Sequence, residues 1–247
     1  SGAPKEKKVF QVFATLGQIF AIITLVCIGG SLLCFGVPEI GYMICAMGFE
    51  VSIPAFIFGI IGKKNTDIEK IFPKKNTDIQ YLNSTQELSD YQTIIVSEVQ
   101  NDLENLGTKL KKAFDHGTQV IYIPNSSLSV NDHNSFFKHF GNLKYARINE
   151  SKNSITNIHH THPVYKNVFA KQPENFEYPT TTKNYIINGN LSPILSYSNQ
   201  EAFAGNITNG IANLYVFASS LNNLDTNILQ APIIVPTLYN MVISNQH

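Results

Sequence analysis

Three imidazoles fall within four residues, at His159, His160 and His162. That density suits a Zn²⁺ or Ni²⁺ site completed by a distant carboxylate. Spacing argues against it. Adjacent side chains in an extended segment point to opposite faces, so His159 and His160 do not readily share one ion. Pro163 also biases His162 toward extended backbone. The segment reads as a surface or hydrogen-bonding loop, and no metal is expected. Nucleophilic chemistry has two candidates, Ser126 and Ser127, in the turn Pro124-Asn125-Ser126-Ser127-Leu128. The turn lacks the flanking glycines of a strained strand-to-helix elbow, and its Asn and Ser are helix-capping types. All three cysteines, Cys27, Cys34 and Cys45, lie in an apolar region, so the polar part of the chain offers no thiol nucleophile, disulfide or thiolate site. No catalytic residue and no cofactor is expected. One carboxylate stands apart: Glu50, inside an otherwise apolar run. It reads as an anchor facing another polypeptide, as an ion- or proton-coupling group, or as a protonated bystander.

The elements that carry Glu50 are two apolar runs, about 9–35 and 40–61, joined by Gly36-Val37-Pro38-Glu39-Ile40-Gly41. Each is long enough for a hydrocarbon layer of about 30 Å, and lipid admits only helices or closed barrels. Residues 1–62 therefore read as a transmembrane helical hairpin. Along its second helix Gly41, Cys45, Gly48, Ser52, Ala55 and Gly59 recur at alternating spacings of four and three, a seam that lets helices approach closely. Glu50 lies about 200° around the helix from Gly48 and points away from that seam. Lys5, Lys7 and Lys8 precede the first run and Lys63 and Lys64 follow the second, which places both termini in the cytoplasm by charge bias.

Residues 63–83 read as a connector, in which Lys-Lys-Asn-Thr-Asp-Ile occurs at 63–68 and again at 74–79. Asn is absent from residues 1–62 and abundant afterwards. The net charge is zero, with no basic stripe for nucleic acid. From 84 to 247 strands and helices alternate. Thr93–Val96 reads as a buried strand. Asn101 or Asp102 caps a helix whose Leu103, Leu106, Leu110, Ala113 and Phe114 share one face. His116-Gly117 ends that helix, and Gln119–Ile123 is the next strand, stopped by Pro124. A helix follows around Asp132 to Phe140, then strands at 145–148, 185–187, 194–196 and 213–217. The alternation implies an α/β layer with a mainly parallel sheet and helices on both faces.

Two resemblances add to this. The segments Tyr91-Gln92-Thr93-Ile94-Ile95-Val96 and Gly117-Thr118-Gln119-Val120-Ile121-Tyr122-Ile123-Pro124 resemble the glutamine-amidotransferase-like domain of Bacteroidetes BatA-type membrane proteins. So do His162-Pro163-Val164-Tyr165-Lys166-Asn167-Val168-Phe169, Asn175-Phe176-Glu177-Tyr178-Pro179, and Pro232-Ile233-Ile234-Val235-Pro236-Thr237-Leu238-Tyr239. The likeness covers about 68–244 and implies a class I amidotransferase-like fold, here without a nucleophilic cysteine. The apolar hairpin, through Glu50 and Ala55-Phe56-Ile57-Phe58, resembles the L subunit of the gliding-motility and type 9 secretion motor.

The expected function is a non-catalytic scaffold or accessory subunit of a bacterial inner-membrane complex. The hairpin would meet lipid and other membrane subunits, and the α/β domain a protein partner. The alternatives are an ion-driven motor or transporter subunit using Glu50, and a degenerate hydrolase. The charge count implies a cytoplasmic α/β domain, whereas the BatA-type resemblance implies a periplasmic one.

Overall fold

Thr93–Ser97 (β3), Gln119–Ile123 (β4) and Asn213–Phe217 (β11) are short runs rich in Ile, Val and Tyr. Such runs suit strands covered on both faces. The computed structural model describes residues 56–62, 70–72, 77–81, 88–166, 168 and 178–243, and the compact unit they belong to begins at Phe56. In that unit β3, β4 and β11 form the middle of a nine-stranded sheet. Its other members are β1 (Phe56–Gly62), β2 (Thr77–Tyr81), β6 (Asn153–Ile158), β7 (Thr180–Thr181), β9 (Ser192–Tyr197) and β10 (Ala202–Thr208). Lys144–Asn149 (β5) and Asn184–Asn188 (β8) pair separately as an antiparallel ribbon.

The sheet order is β2-β1-β3-β4-β11-β10-β9-β6-β7. Its first five strands are mutually parallel. The remaining ladders, from β11 to β7, are antiparallel. The unit is thus α/β as expected, but the sheet is mixed and not mainly parallel. The extra antiparallel strands β6 and β10 escape the pattern of the sequence. β10 contains Gly205 and Asn206, both poor strand formers, and it is accommodated by a register shift against β9 at Ala204/Gly205.

Side-chain alternation divides the parallel strands between two cores. Ile94, Val96, Val120, Tyr122, Leu214 and Val216 face helix α1 (Leu103–Asp115) and helix α2 (Val130–Phe137). Ile95, Ile121, Ile123, Tyr215 and Phe217 face helix α3 (Ile234–Ile243). The stripe Leu103, Leu106, Leu110, Ala113 and Phe114 of α1 is buried. The helix ends at Gly117, whose φ of 105° suits glycine; there the Gly117 and Thr118 N–H groups donate to Phe114 and Ala113, a Schellman closure. Asp102 occupies the N-cap position, yet with φ 60° it makes no side-chain cap and instead accepts from Asn105 Nδ2 at 2.9 Å. α2 is capped by Ser129 in a reciprocal box with Asp132, so it starts and ends earlier than the expected 132–140.

Two further expectations are corrected. Phe56–Ile61, read from the sequence as the end of a transmembrane helix, belongs to strand β1, paired in parallel with β2 and β3. A strand flanked on both sides in a parallel sheet has the same continuous apolar composition as a membrane segment, and periodicity alone does not separate them. The segment 63–83, expected as a connector, contributes strand β2, into which the second copy of the hexapeptide repeat runs. Gly59 lies on β1. Glu50, Gly41, Cys45, Gly48, Ser52 and Ala55, with the remainder of both apolar runs, lie outside the described residues. Among the described residues no helix is long and apolar enough to cross a membrane.

Candidate functional site at the carboxyl edge of the parallel strands

In open α/β sheets ligands gather outside the carboxyl ends of the parallel strands, near the point where strand order reverses. Here those ends are Ser97-Glu98 after β3, Pro124–Leu128 after β4 and Ser219–Thr226 after β11. The backbone is special at the first: Glu98 has φ 49° and is 8% exposed. Its N–H donates to the Ile123 carbonyl at 3.1 Å, and Asn125 Nδ2 donates to its carbonyl at 3.3 Å. The β3 and β4 loops are thereby tied together. Ser97 Oγ beneath is buried without a hydrogen-bond partner.

The turn after β4 closes on itself. Asn125 Oδ1 accepts from the Ser127 N–H at 3.0 Å and from Ser127 Oγ at 2.7 Å. Ser126 is half-buried and Ser127 exposed, and neither hydroxyl meets a histidine. The nearest imidazole, His133 of α2, lies beneath the turn with no exposed surface. Its Nε2 is 3.1 Å from the Asn125 carbonyl and its Nδ1 is 2.6 Å from Tyr122 Oη. A carbonyl only accepts, so Nε2 carries the proton and Nδ1 accepts from the tyrosine hydroxyl. Burial pushes the His133 pKa down to about 4. Both ring nitrogens are committed, and the imidazole is held neutral. Tyr185 closes the arrangement by donating to the Asn125 and Leu128 carbonyls at 3.0 and 2.7 Å. Rings of Tyr122, Phe137, Tyr145 and Tyr185 surround the histidine system, with Tyr145 and Tyr185 stacked at 4.6 Å.

The third loop is equally self-satisfied. The Asp225 carboxylate accepts from Ser220 Oγ and from Asn222 Nδ2, the latter at 3.0 Å. Asn222 Oδ1 accepts from the N–H groups of Leu224 and Asp225. Ser219 Oγ donates to the Lys183 carbonyl at 2.7 Å. A hydroxyl beside a carboxylate, without an intervening base, is an anchored loop and not an activated nucleophile.

The histidine cluster is dispersed among other partners. His162 Nδ1 accepts from the Val164 N–H at 3.2 Å and its Nε2 lies 2.9 Å from Asn206 Oδ1. It therefore caps the single turn Pro163–Tyr165. His159 Nε2 pairs with Ser196 Oγ at 2.8 Å. Burial lowers the pKa of both. No group of three His, Cys, Asp or Glu side chains with ligand geometry occurs among the described residues. His133 and the Ser220–Asp225 loop were not apparent in the sequence. The available signal was the placement of His133 three and four residues before Phe136 and Phe137, which puts it on the buried face of its helix.

No protein-family model matches the chain and no curated protein matches it. Among solved structures it is similar to the cytoplasmic protein STM1381 from Salmonella typhimurium LT2, with a TM-score of 0.58 and 11% identity over 78% of this chain and 100% of that one. It is similar to a β-galactosidase from Rahnella sp. R3, with a TM-score of 0.52 and 10% identity, over 84% of this chain but 35% of the galactosidase. A further likeness is to PurLQS from Thermotoga maritima, with a TM-score of 0.50 and 11% identity over 77% of this chain and 99% of that one. At these identities the likeness is one of fold alone.

Proposed function

We propose that this chain is a non-catalytic scaffold or accessory subunit of a bacterial inner-membrane complex, carrying an α/β unit of class I amidotransferase-like fold. The observation that carries this reading is the Asn125 turn. At the end of β4, where an amidotransferase-like domain would present its nucleophile, Asn125 Oδ1 holds Ser127 and the only nearby imidazole has both nitrogens engaged. Acyl transfer needs a nucleophile in contact with a free base and a nearby set of oxyanion donors. The hydrogen bonds that would serve such chemistry are spent on fixing loops.

Membrane attachment is supported by the uncharged run 9–35, long enough to span. Because β1 takes the chain from Phe56 onward, the second run retains only residues 40–55 for the membrane, about 24 Å of helix. The test is the native mass of the full chain extracted from its own membranes in mild detergent, with co-purifying proteins identified. A discrete complex larger than the protomer, containing other membrane proteins and unaffected by Ser126→Ala and Ser127→Ala, is expected. A monomer with no retained partner would refute the scaffold reading.

A further inference from the structure

The amino-terminal edge of the parallel strands is opposite to the loops just described, and three features converge on it. The first is where the chain enters. Phe58 lies in register with Thr93, the first residue of β3, so Phe56, two residues earlier, stands about 7 Å beyond that point along β1. The 55 residues preceding Phe56 include both apolar runs. The second is the end of α3. Thr93 Oγ1 donates to the Val242 carbonyl at 2.9 Å, which fixes the last turn of α3 beside the same strand start. No residue of α3 is charged, although Ile243 is only half-buried. Surface helices ordinarily carry polar side chains on the face turned from the core.

The third feature is the turn between β10 and β11. Ile211 projects from it, 63% exposed, and the turn that presents it is rigid. Asn209 Oδ1 accepts from the Ile211 and Ala212 N–H groups at 2.9 and 2.7 Å, while Asn209 Nδ2 donates to the Phe114 carbonyl at 3.2 Å. Gly210 adopts φ 90°, a conformation open to glycine at no steric cost. β11 lies three strands from β1 in the sheet, about 14 Å away. The charges along this edge nearly cancel: Lys111 pairs with Asp115, and Lys112 and Asp90 are both exposed, with His116 at the helix end.

We propose that this edge rests on the surface of a lipid bilayer, with Ile211 and the end of α3 set into the headgroup boundary. The inference rests on the membrane-attached reading given above, and names which surface of the unit meets the membrane. A 55-residue segment rich in apolar residues that joins the unit at Phe56 delivers the bilayer to this edge and to no other. A nearly neutral edge with aliphatic tips favours apolar insertion over electrostatic adsorption, so phosphatidylcholine alone suffices and added salt does not release it.

β11 offers an internal control, because its two ends carry the two most exposed aliphatic side chains: Ile211 at one and Leu224, 87% exposed, at the other. The experiment places an environment-sensitive fluorophore at Ile211→Cys or Leu224→Cys in the full chain, with Cys27→Ala, Cys34→Ala and Cys45→Ala. The protein is reconstituted into phosphatidylcholine vesicles with and without a spin-labelled lipid. Flotation with vesicles after carbonate washing tests attachment by itself. In floated protein the label at 211 should lose roughly half its emission to the lipid-borne quencher, as expected a few ångströms into the boundary, and the label at 224 should be quenched only by aqueous iodide. Equal iodide access at both positions overturns the proposal while leaving attachment intact. A label at 211 shielded from iodide but untouched by the lipid quencher means that protein covers the edge, which also overturns it. A chain that does not float removes the attachment reading and the proposal together.

Discussion

Lowering the pH should weaken this fold through His133 more than through any carboxylate on its surface. Free histidine titrates near 6.5, whereas burial holds the folded-state value at about 4. The folded pKa is depressed, so between these values the unfolded chain binds a proton that the folded chain refuses. Stability attributable to this group is complete above pH 6.5 and is lost progressively as pH falls toward 4. At 1.36 kcal/mol per unit, the full window is worth about 3 kcal/mol, a large share of a typical net stability of about 5–15 kcal/mol. Asp132 does not obscure the effect: hydrogen bonds from Ser129 hold its carboxyl below the usual range, so it titrates below the window. The assay is urea unfolding of the full chain in non-ionic detergent at half-unit steps from pH 7.5 to 4.5, for wild type and His133→Leu. The variant starts less stable, because Tyr122 Oη and the Asn125 carbonyl lose their partner, but its slope with pH should be shallower. A nuclear magnetic resonance titration of the wild-type ring gives the folded pKa directly. Parallel pH slopes in the two proteins, or a ring titration centred near 6.5, would refute the reasoning.

Other perturbations follow from packing and hydrogen bonding. A Cβ on Gly205 would approach the Ser192 carbonyl oxygen and the Leu191 side chain to 2.6 Å, and the oxygen belongs to backbone that cannot swing aside. Gly205→Val should therefore cost about 1–3 kcal/mol, read as a lower urea midpoint. Tyr145→Phe removes the 2.6 Å bond to the Phe217 carbonyl and leaves a buried acceptor unpaired, for about 1–3 kcal/mol. Ser97→Ala should be neutral or stabilising in the same titration, since the buried hydroxyl has no partner to lose.

What could be read from the chain differed by element for physical reasons. Helix α1 was legible because five apolar residues recur at helical spacing and Gly117 supplies the left-handed stop. Strand β4 was legible because Pro124 ends it. β1 was not, since Phe56–Gly62 has the composition of lipid-facing and sheet-buried segments alike, and only its hydrogen-bonding neighbours distinguish them. β10 was hidden by Gly205 and Asn206, residues that a strand tolerates only where a bulge and a close neighbour require them. The chemistry of the carboxyl edge was half legible. The absence of flanking glycines marked the Ser126-Ser127 turn as an ordinary loop. The imidazole beneath it went unseen, because His133 sits in a short helix of mostly polar residues and acquires its setting from Tyr122, Tyr145 and Tyr185, which lie distant in sequence.

The neighbour relation between β4 and β11 also governs how the molecule comes into being. Asn213 meets Gln119 across a separation of 94 positions, so β4 is synthesised long before the strand that completes its second side. At roughly 5–20 residues per second, that interval is about 5–20 s. Throughout it, an apolar strand with an open edge is displayed by a chain whose amino-terminal segment has already left the ribosome. Such an edge is a template for pairing with other chains. Synthesis that stops before Asn213 should yield an aggregating product, and holding by chaperones should be needed most while β5 to β10 are being made.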